Sequence, residues 1–322
     1  MRFTHLINPF CAKAGSEHDR AQRVTFASMR RAVEDAKQGG IDVEIVAAVF
    51  EEDISAIQPP ARNLPSLTRS VLDVAPLSPP RKFPLVGDLL RLARKHGGGE
   101  YLIFSNVDIA LQRHFYRAVD EMVRACSPHP LACCINRRTI SNHYGGAEEI
   151  EKMYADEGAK HPGYDCFVFP MQFVDRMVVG HACIGARHFD SLLLANIDAL
   201  STFRGRIFSD LHLTFHLGDD RNWVSKIDYE EFNLRECLRA SRHLCRKFRP
   251  PTESLFTYLH NRFESHAGTK QWVIRKLKRS DRLVRFARRI REGFDSPESG
   301  APGSVQAVAR SARSVGTETD PP

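Results

Sequence analysis

The chemistry of this chain begins at Asn106-Val107-Asp108, which closes the short apolar run Tyr101-Leu-Ile-Phe-Ser105. A carboxylate is a hard oxygen ligand suited to Mg²⁺ or Mn²⁺, ions that take one or two protein carboxylates and complete their shells with phosphate oxygens. Asn106 lies two residues before Asp108 and, on an extended backbone, faces the same way. It could hold a ribose hydroxyl or a metal-bound water. Asn136-Arg137-Arg138 supplies permanent positive charge for a diphosphate or a carboxylate. His212 and His216 are spaced i, i+4 and precede Gly218-Asp219-Asp220. An imidazole there can give one metal ligand or stand close to a phosphate. Asp219 and Asp220 are candidate bases for an attacking hydroxyl. A zinc-protease reading fails, because Leu213 stands where the glutamate should follow the first histidine.

These residues need a scaffold that brings strand ends together. Phe3 to Ile7 reads as a first strand closed by Asn8-Pro9, Asp19 to Gln38 as a helix stopped by Gly39-Gly40, and Val43 to Phe50 as a buried parallel strand. That is a βαβ unit. A third strand is expected over Leu67–Val74, a helix from Leu85 to Gly97, the strand at Tyr101, a helix over Leu111–Cys126 and a strand over Leu131–Asn136. Cys166 to Phe169 and Met177 to Ile184 are further apolar runs, and helices are expected over 189–200, 229–248 and 252–265. The fold class is α/β: an open, mostly parallel sheet flanked by helices, with a helical C-terminal appendage. Strands of a parallel sheet end on one side, so Asn8, Asn106/Asp108 and Asn136/Arg137/Arg138 can share a crevice. His161 and Asp165, just before Cys166, form a fourth polar cluster at a strand end.

The chain has 322 residues, 26% of them charged and 42% hydrophobic, an ordinary globular balance. Its formal charge of +7 is concentrated. Lys270 to Gly293 holds ten Lys or Arg against Asp281 and Glu292, which leaves the rest slightly acidic and no nucleic-acid binder. Leu283, Phe286, Ala287, Ile290 and Phe294 form an apolar stripe between those arginines, as in helices lying on anionic membrane surfaces. No run is long enough to span a bilayer and no signal-peptide core is present, so the expected location is cytoplasmic, with peripheral association at the inner membrane face through 270–294. Eight cysteines without a C-x-x-C pair read as reduced thiols. The expected division is 1–228 for the site-bearing domain, 229–294 for the helical appendage and 295–322 for a disordered tail. A P-loop, a dinucleotide fingerprint and a nucleophile elbow are all absent.

The succession of strand, helix, strand, helix and Glu100-Tyr-Leu-Ile-Phe-Ser-Asn-Val-Asp-Ile109 resembles the nucleotide-sugar half of GT-A fold glycosyltransferases. Their D-x-D motif is here Asn106-Val107-Asp108, with the metal-binding last aspartate matched and the first replaced by Asn. Ile135-Asn-Arg-Arg-Thr-Ile140, His161-Pro-Gly-Tyr-Asp-Cys-Phe-Val-Phe169 and His212-Leu-Thr-Phe-His-Leu-Gly-Asp219 are similar to strings in a bacterial group of glycosyltransferase-like proteins. The likeness covers about residues 2–225. It implies transfer of a sugar from a nucleoside diphosphate sugar to a hydroxyl of a glycan or lipid-linked acceptor, in surface glycan synthesis. It implies Mn²⁺ or Mg²⁺ on Asp108 with His216 or His212. Asn8, Asn106, Asn136, Arg137, Arg138, His161 and His212 would bind substrate, and Asp165, Asp219 or Asp220 would hold the acceptor or take its proton. Two rivals stand beside it: a sugar nucleotidyltransferase, for which Asn8-Pro-Phe-Cys-Ala-Lys-Ala-Gly15 is too poor in glycine, and a non-catalytic nucleotide- or carbohydrate-binding protein that lost its metal at Asn106.

Overall fold

A computed structural model describes residues 1–218 and 227–278. The first strand, β1 (Arg2–Ile7), leads through a loop to α1 (Glu17–Gln38). Ser16 Oγ accepts the Asp19 N–H at this helix's start, acidic Glu17 and Asp19 sit in its first turn, and Gly40 ends it with φ +70°. The chain returns as β2 (Asp42–Ala47), in parallel register with β1, and a two-residue edge strand, β3 (Arg62–Asn63), continues the sheet. The strand expected over Leu67–Val74 does not form. Ser70 and Asp73 satisfy each other's backbone in a capping box, and Val71–Asp73 closes as a single 3-10 turn instead.

Helix α2 (Val86–His96) crosses back to β4 (Tyr101–Ser105), which pairs in parallel with β1. Gly97-Gly98-Gly99 makes this return possible, because a Cβ at Gly99 would overlap the Thr4 backbone. Leu111, expected to open a helix, lies in β5 (Ala110–Leu111) and pairs with Thr214. The helix starts later, as α3 (Phe115–Ala125), because Gln112 N still donates to Leu213 O. Then come β6 (Cys133–Ile135), β7 (Arg138–Ile140), α4 (Ile150–Ala155), β8 (Ala159–Lys160) and β9 (Cys166–Pro170). The run Met177–Ile184 gives no strand, only an isolated bridge from Cys183 to Leu85. After it follow α5 (Phe189–Leu200), β10 (Arg206–Phe208), β11 (Thr214–Leu217), α6 (Ile227–Phe248) and α7 (Leu255–Lys278).

The main sheet has the order β10-β6-β9-β4-β1-β2-β3 and is parallel except for β9, which runs against both β4 and β6. This is the open, mostly parallel α/β sheet expected from the sequence. Alternation along its strands builds two cores. Leu102, Phe104, Cys134, Phe167 and Phe169 face α2, α5 and α6, while Tyr101, Ile103, Cys133, Ile135 and Val168 face α1 and α3. A second sheet, β5-β11-β7-β8, lies beyond the end of β4 and packs on α1 through Val24, Ala110, Ile140 and Phe215.

The helical segment expected as an appendage from 229 onward is packed into the first core, with Leu234, Cys237, Leu244, Phe256, Leu259 and Phe263 all buried there. One compact unit covers Met1–Thr269 and a second begins at Lys270. Of the basic segment 270–294, Lys270–Lys278 belongs to α7, and the remainder lies outside the described residues, as does the tail 295–322. Among the described residues no helix is long and apolar enough to cross a membrane.

His5 sits in the middle of β1, wholly buried, between Tyr116 Oη and Ser105 Oγ at 2.8 Å each. Burial holds its pKa at about 3, far below the ordinary 6.5. Between those values the unfolded chain binds a proton that the folded chain refuses. The stability is therefore complete above pH 6.5 and lost as the pH falls toward 3. Urea midpoints should show a loss of roughly 2 kcal/mol from this group between pH 6.5 and 4.5. The variant His5→Gln should have a shallower acid slope, and an unchanged slope would contradict this assignment.

Candidate active site

The β4 strand delivers its polar end to the seam between the two sheets. Ile109 N donates to Asn106 O at 3.1 Å, and this turn points Asp108 at the strand β11. Asp108 Oδ2 lies 3.4 Å from His216 Nε2, with the two side chains 28% and 16% exposed. The other nitrogen, His216 Nδ1, is 2.8 Å from Gly218 O and donates to it, which fixes the ring. Asp108 Oδ1 is inaccessible to water and has no partner among the described residues. Burial alone would raise the Asp108 pKa. The hydrogen bond and charge of His216, with the charge of Arg137, overcome this and hold it at about 2. Burial works against the charged His216 ring as well, but the bond and charge of Asp108 raise its pKa above the ordinary value.

An aspartate and a histidine on facing backbones, with one carboxylate oxygen unpartnered, suit a cation. With Nδ1–H donated to Gly218 O, the neutral ring offers its Nε2 lone pair toward the carboxylate. A proton fills this gap in the ion pair, and a divalent cation would compete for it. Among the described residues no group of three or more His, Cys, Asp or Glu side chains is arranged to hold a metal. Two protein ligands would leave such an ion most of its shell to fill with other oxygen donors and water.

Beside this pair, Arg137 Nη1 reaches Asp165 Oδ1 at 3.5 Å, and both side chains are nearly buried. Asp165 belongs to the loop entering β9, and β9 runs antiparallel, so its N-terminal end reaches the edge where β4 and β6 finish. The convergence thus includes an antiparallel strand that the parallel-sheet reading did not contain. Arg137 and Arg138 are separated by strand alternation. Arg138 turns away and binds Glu157 O and Gly158 O at 2.5 and 2.9 Å, bracing the turn into β8.

The other expected residues divide in the same manner. Asn8 ties the ends of β1 and β2 by donating to Ala48 O at 2.5 Å. Asn136 is buried and donates to His161 O at 3.5 Å, so it holds the His161 loop in place. The Asn106 side chain is half-buried and makes no hydrogen bond among the described residues. His212 is not part of the site. An i, i+4 pair meets on a helix, but His216 is on a strand and His212 in the turn before it, so the two rings separate. His212 faces a cleft of about 500 Å³ on the α3 side, where its Nε2 is 3.0 Å from Gln112 Nε2. Asp219 and Asp220 lie outside the described residues.

Asp190 is a candidate that the sequence pattern did not single out. It opens α5, following His188 in the left-handed region at φ +81°, a strained position for a non-glycine residue. Burial first, and then the charge of Asp165, push the Asp190 carboxyl up to about 6, against the opposing pull of the Ser191 N–H and Arg262. The signal was present: α5 is almost wholly apolar and buried, so its two acids need reasons. Asp198 has one, since it accepts the N–H groups of Gly205 and Phe256 at 2.8 Å each. Asp190 is left near Asp165 and Tyr164.

No protein-family model matches the chain, and no curated protein has a matching sequence. Solved structures do resemble it. Residues 1–349 of S. aureus TarS, in complex with UDP-GlcNAc, match over 82% of this chain and 73% of that one, at 12% identity and TM-score 0.47. The mannosyltransferase PcManGT of Pyrobaculum calidifontis, in complex with GDP-Man and Mn²⁺, matches over 91% and 79%, at 13% and 0.46. M. tuberculosis glucosyl-3-phosphoglycerate synthase matches over 78% and 82%, at 10% and 0.39. At such identities and scores, any assignment of function has to come from the site's own geometry.

Asp108 supplies the interactions that raise the His216 pKa, so its replacement has a definite sign. In Asp108→Asn, burial and the charge of Arg137 remain while the opposing carboxylate is gone. An NMR titration of the His216 ring should find its pKa below the wild-type value by more than one unit, about the size of a lost buried ion pair. An unchanged pKa would mean the two side chains do not interact in solution.

Proposed function

We propose that this chain is a metal-assisted glycosyltransferase, moving a sugar from a nucleoside diphosphate donor to a hydroxyl acceptor. The observation that carries the reading is the Asp108–His216 pair at the end of β4, with an unpartnered carboxylate oxygen and a histidine fixed by Gly218 O. Asp108 and His216 would hold Mg²⁺ or Mn²⁺, and that ion supplies neutralisation of the diphosphate leaving group. Arg137 adds fixed positive charge to the same region, and its bond to Asp165 keeps it oriented.

Asp190 suits the proton transfer better than Asp165. Asp165 is committed to Arg137, whereas Asp190 has a carboxyl lifted to about 6, so it is ionised at neutral pH yet basic enough to accept a proton. The acceptor oxygen forms a bond to the anomeric carbon, its proton passes to Asp190, and the bond from that carbon to the diphosphate oxygen breaks. Burial, and after it the charge of Asp165, maintains the basicity of Asp190. The acceptor we infer is a glycan or lipid-linked hydroxyl, and the basic apolar stripe of 283–294 suits an enzyme that meets its acceptor at an anionic membrane surface.

Steady-state kinetics with nucleotide sugars and a hydroxyl acceptor test this. Asp190→Asn should lower kcat by about 10²–10⁴-fold with little change in donor KM. The wild-type kcat/KM should fall on the acid side of about pH 6, and that limb should vanish from the residual activity of the variant. Wild-type turnover that Asp190→Asn retains in full, with the same acid limb, would remove Asp190 from the reaction.

A further inference from the structure

Beside the proposed donor site stands a cation that makes no ion pair among the described residues. Arg20 lies in the first turn of α1, and Val24, one turn later on the same helix face, packs in one cluster with Ala110, Phe215 and Leu217. Those three residues flank Asp108 and His216 in sequence, so Arg20 stands on the seam where the proposed metal ligands meet. Its guanidinium is steered by Asn142, whose Oδ1 accepts from Arg20 Nη2. Asn142 in turn packs on Gly218, where a Cβ would come within 3.1 Å of the Asn142 side chain, and Gly218 O is the acceptor that orients His216. Arg20, Asn142, Gly218, His216 and Asp108 thus form one connected series.

On the same helix Arg23 pairs with Asp19 at 2.7 Å and Arg31 with Glu151 at 3.5 Å, and Arg30 donates to Pro59 O at 3.4 Å. Glu17, the other acid nearby, accepts from Asn142 Nδ2 at 3.5 Å. Among the described residues Arg20 makes no ion pair, and its Nε is inaccessible to water and has no partner. A guanidinium has five N–H donors, and leaving a buried one unmet is costly unless something occupies the space beside it. An anion with several oxygens fits that need, because a guanidinium offers parallel donors to phosphate.

We propose that Arg20 binds the diphosphate of the donor, opposite the Asp108–His216 pair, with Asn142 as the residue that positions its guanidinium. This rests on the glycosyltransferase reading above and adds to it a residue on α1, outside every motif identified in the sequence. With Arg20, the diphosphate is held from the helix side as well as from the strand ends, and the protein's own positive charge complements whatever cation arrives with the nucleotide.

Calorimetric titration of the full chain with UDP, GDP and pyrophosphate, without added metal, reads this directly. For whichever of these the wild type binds, Arg20→Ala should weaken binding about 10–100-fold, the loss expected for hydrogen bonds to a charged group. Arg20→Lys should fall between the two, since it keeps the charge and loses the fork. Asn142→Ala should weaken binding less than Arg20→Ala. The urea midpoint of Arg20→Ala should stay at or above the wild-type value, because the guanidinium satisfies little in the free protein. Wild-type binding that Arg20→Ala retains within twofold would overturn the proposal while leaving the glycosyltransferase reading intact. A lowered midpoint with unchanged affinity would make Arg20 structural. Failure of the wild type to bind any of the three ligands, with or without Mn²⁺, would overturn both.

Discussion

Asp108 and His216 meet across the seam between two sheets, and the placement of much of the surrounding structure follows from that meeting. Each side chain comes from a strand end that could not reach the other within one sheet. β4 belongs to the main sheet and β11 to the small one, and the turn at Asn106 with the short strand β5 joins them. Burial makes each charge unfavourable alone, so the pair is stable only because both are present. The remaining carboxylate oxygen, enclosed and without a partner among the described residues, is the feature that a purely structural ion pair would have no reason to keep.

Around the pair, charge is arranged in alternation. Arg137 stands beside Asp108 and is anchored by Asp165, and burial, with the charge of Asp165 added, lifts the carboxyl of Asp190. The acidic and basic groups therefore tune one another along the sheet edge from β11 to the start of α5. A carboxyl near 2 at one end suits a permanent ligand, and a carboxyl near 6 at the other suits a proton acceptor. One edge thus supplies two acids of different character because their neighbours differ. The scaffold behind it is apolar and alternates between two cores, with no polar group in its strands left to solvent at His5 or Ser105.

The sequence made the scaffold legible where its pattern was strong. The βαβ unit, the buried strand at Tyr101, the triple-glycine return and the helix at Phe189 were all readable from apolar runs and their glycine stops. That Asp108, Arg137 and Asp165 lie at one sheet edge was readable, because each follows or precedes such a run. The errors have physical causes. Leu67–Val74 looked extended, but a local Ser–Asp capping box was closer at hand than a strand partner. Leu111 looked helical because its role in a two-strand bridge depends on Thr214, a hundred residues away. His212 and His216 looked like neighbours because spacing does not say whether the backbone is helix or strand. Arg138 adjoins Arg137 in the sequence, but adjacent residues on a strand face opposite ways. The sequence pattern does not single out Asp190 and Arg20, because what sets them apart is their surroundings: a carboxyl inside an apolar helix end, and a guanidinium that makes no ion pair among the described residues.

The central claim is that Asp108 and His216 form a cation site completed by a nucleoside diphosphate. Paramagnetic broadening by Mn²⁺ tests it most directly. With UDP or GDP present, substoichiometric Mn²⁺ should broaden the His216 ring resonances before those of His5, His96 or His129, and Asp108→Ala should abolish the selectivity. If His216 stays sharp in the presence of Mn²⁺ and both nucleotides, or broadens equally without Asp108, the pair is an ordinary buried ion pair and the account of this site is wrong.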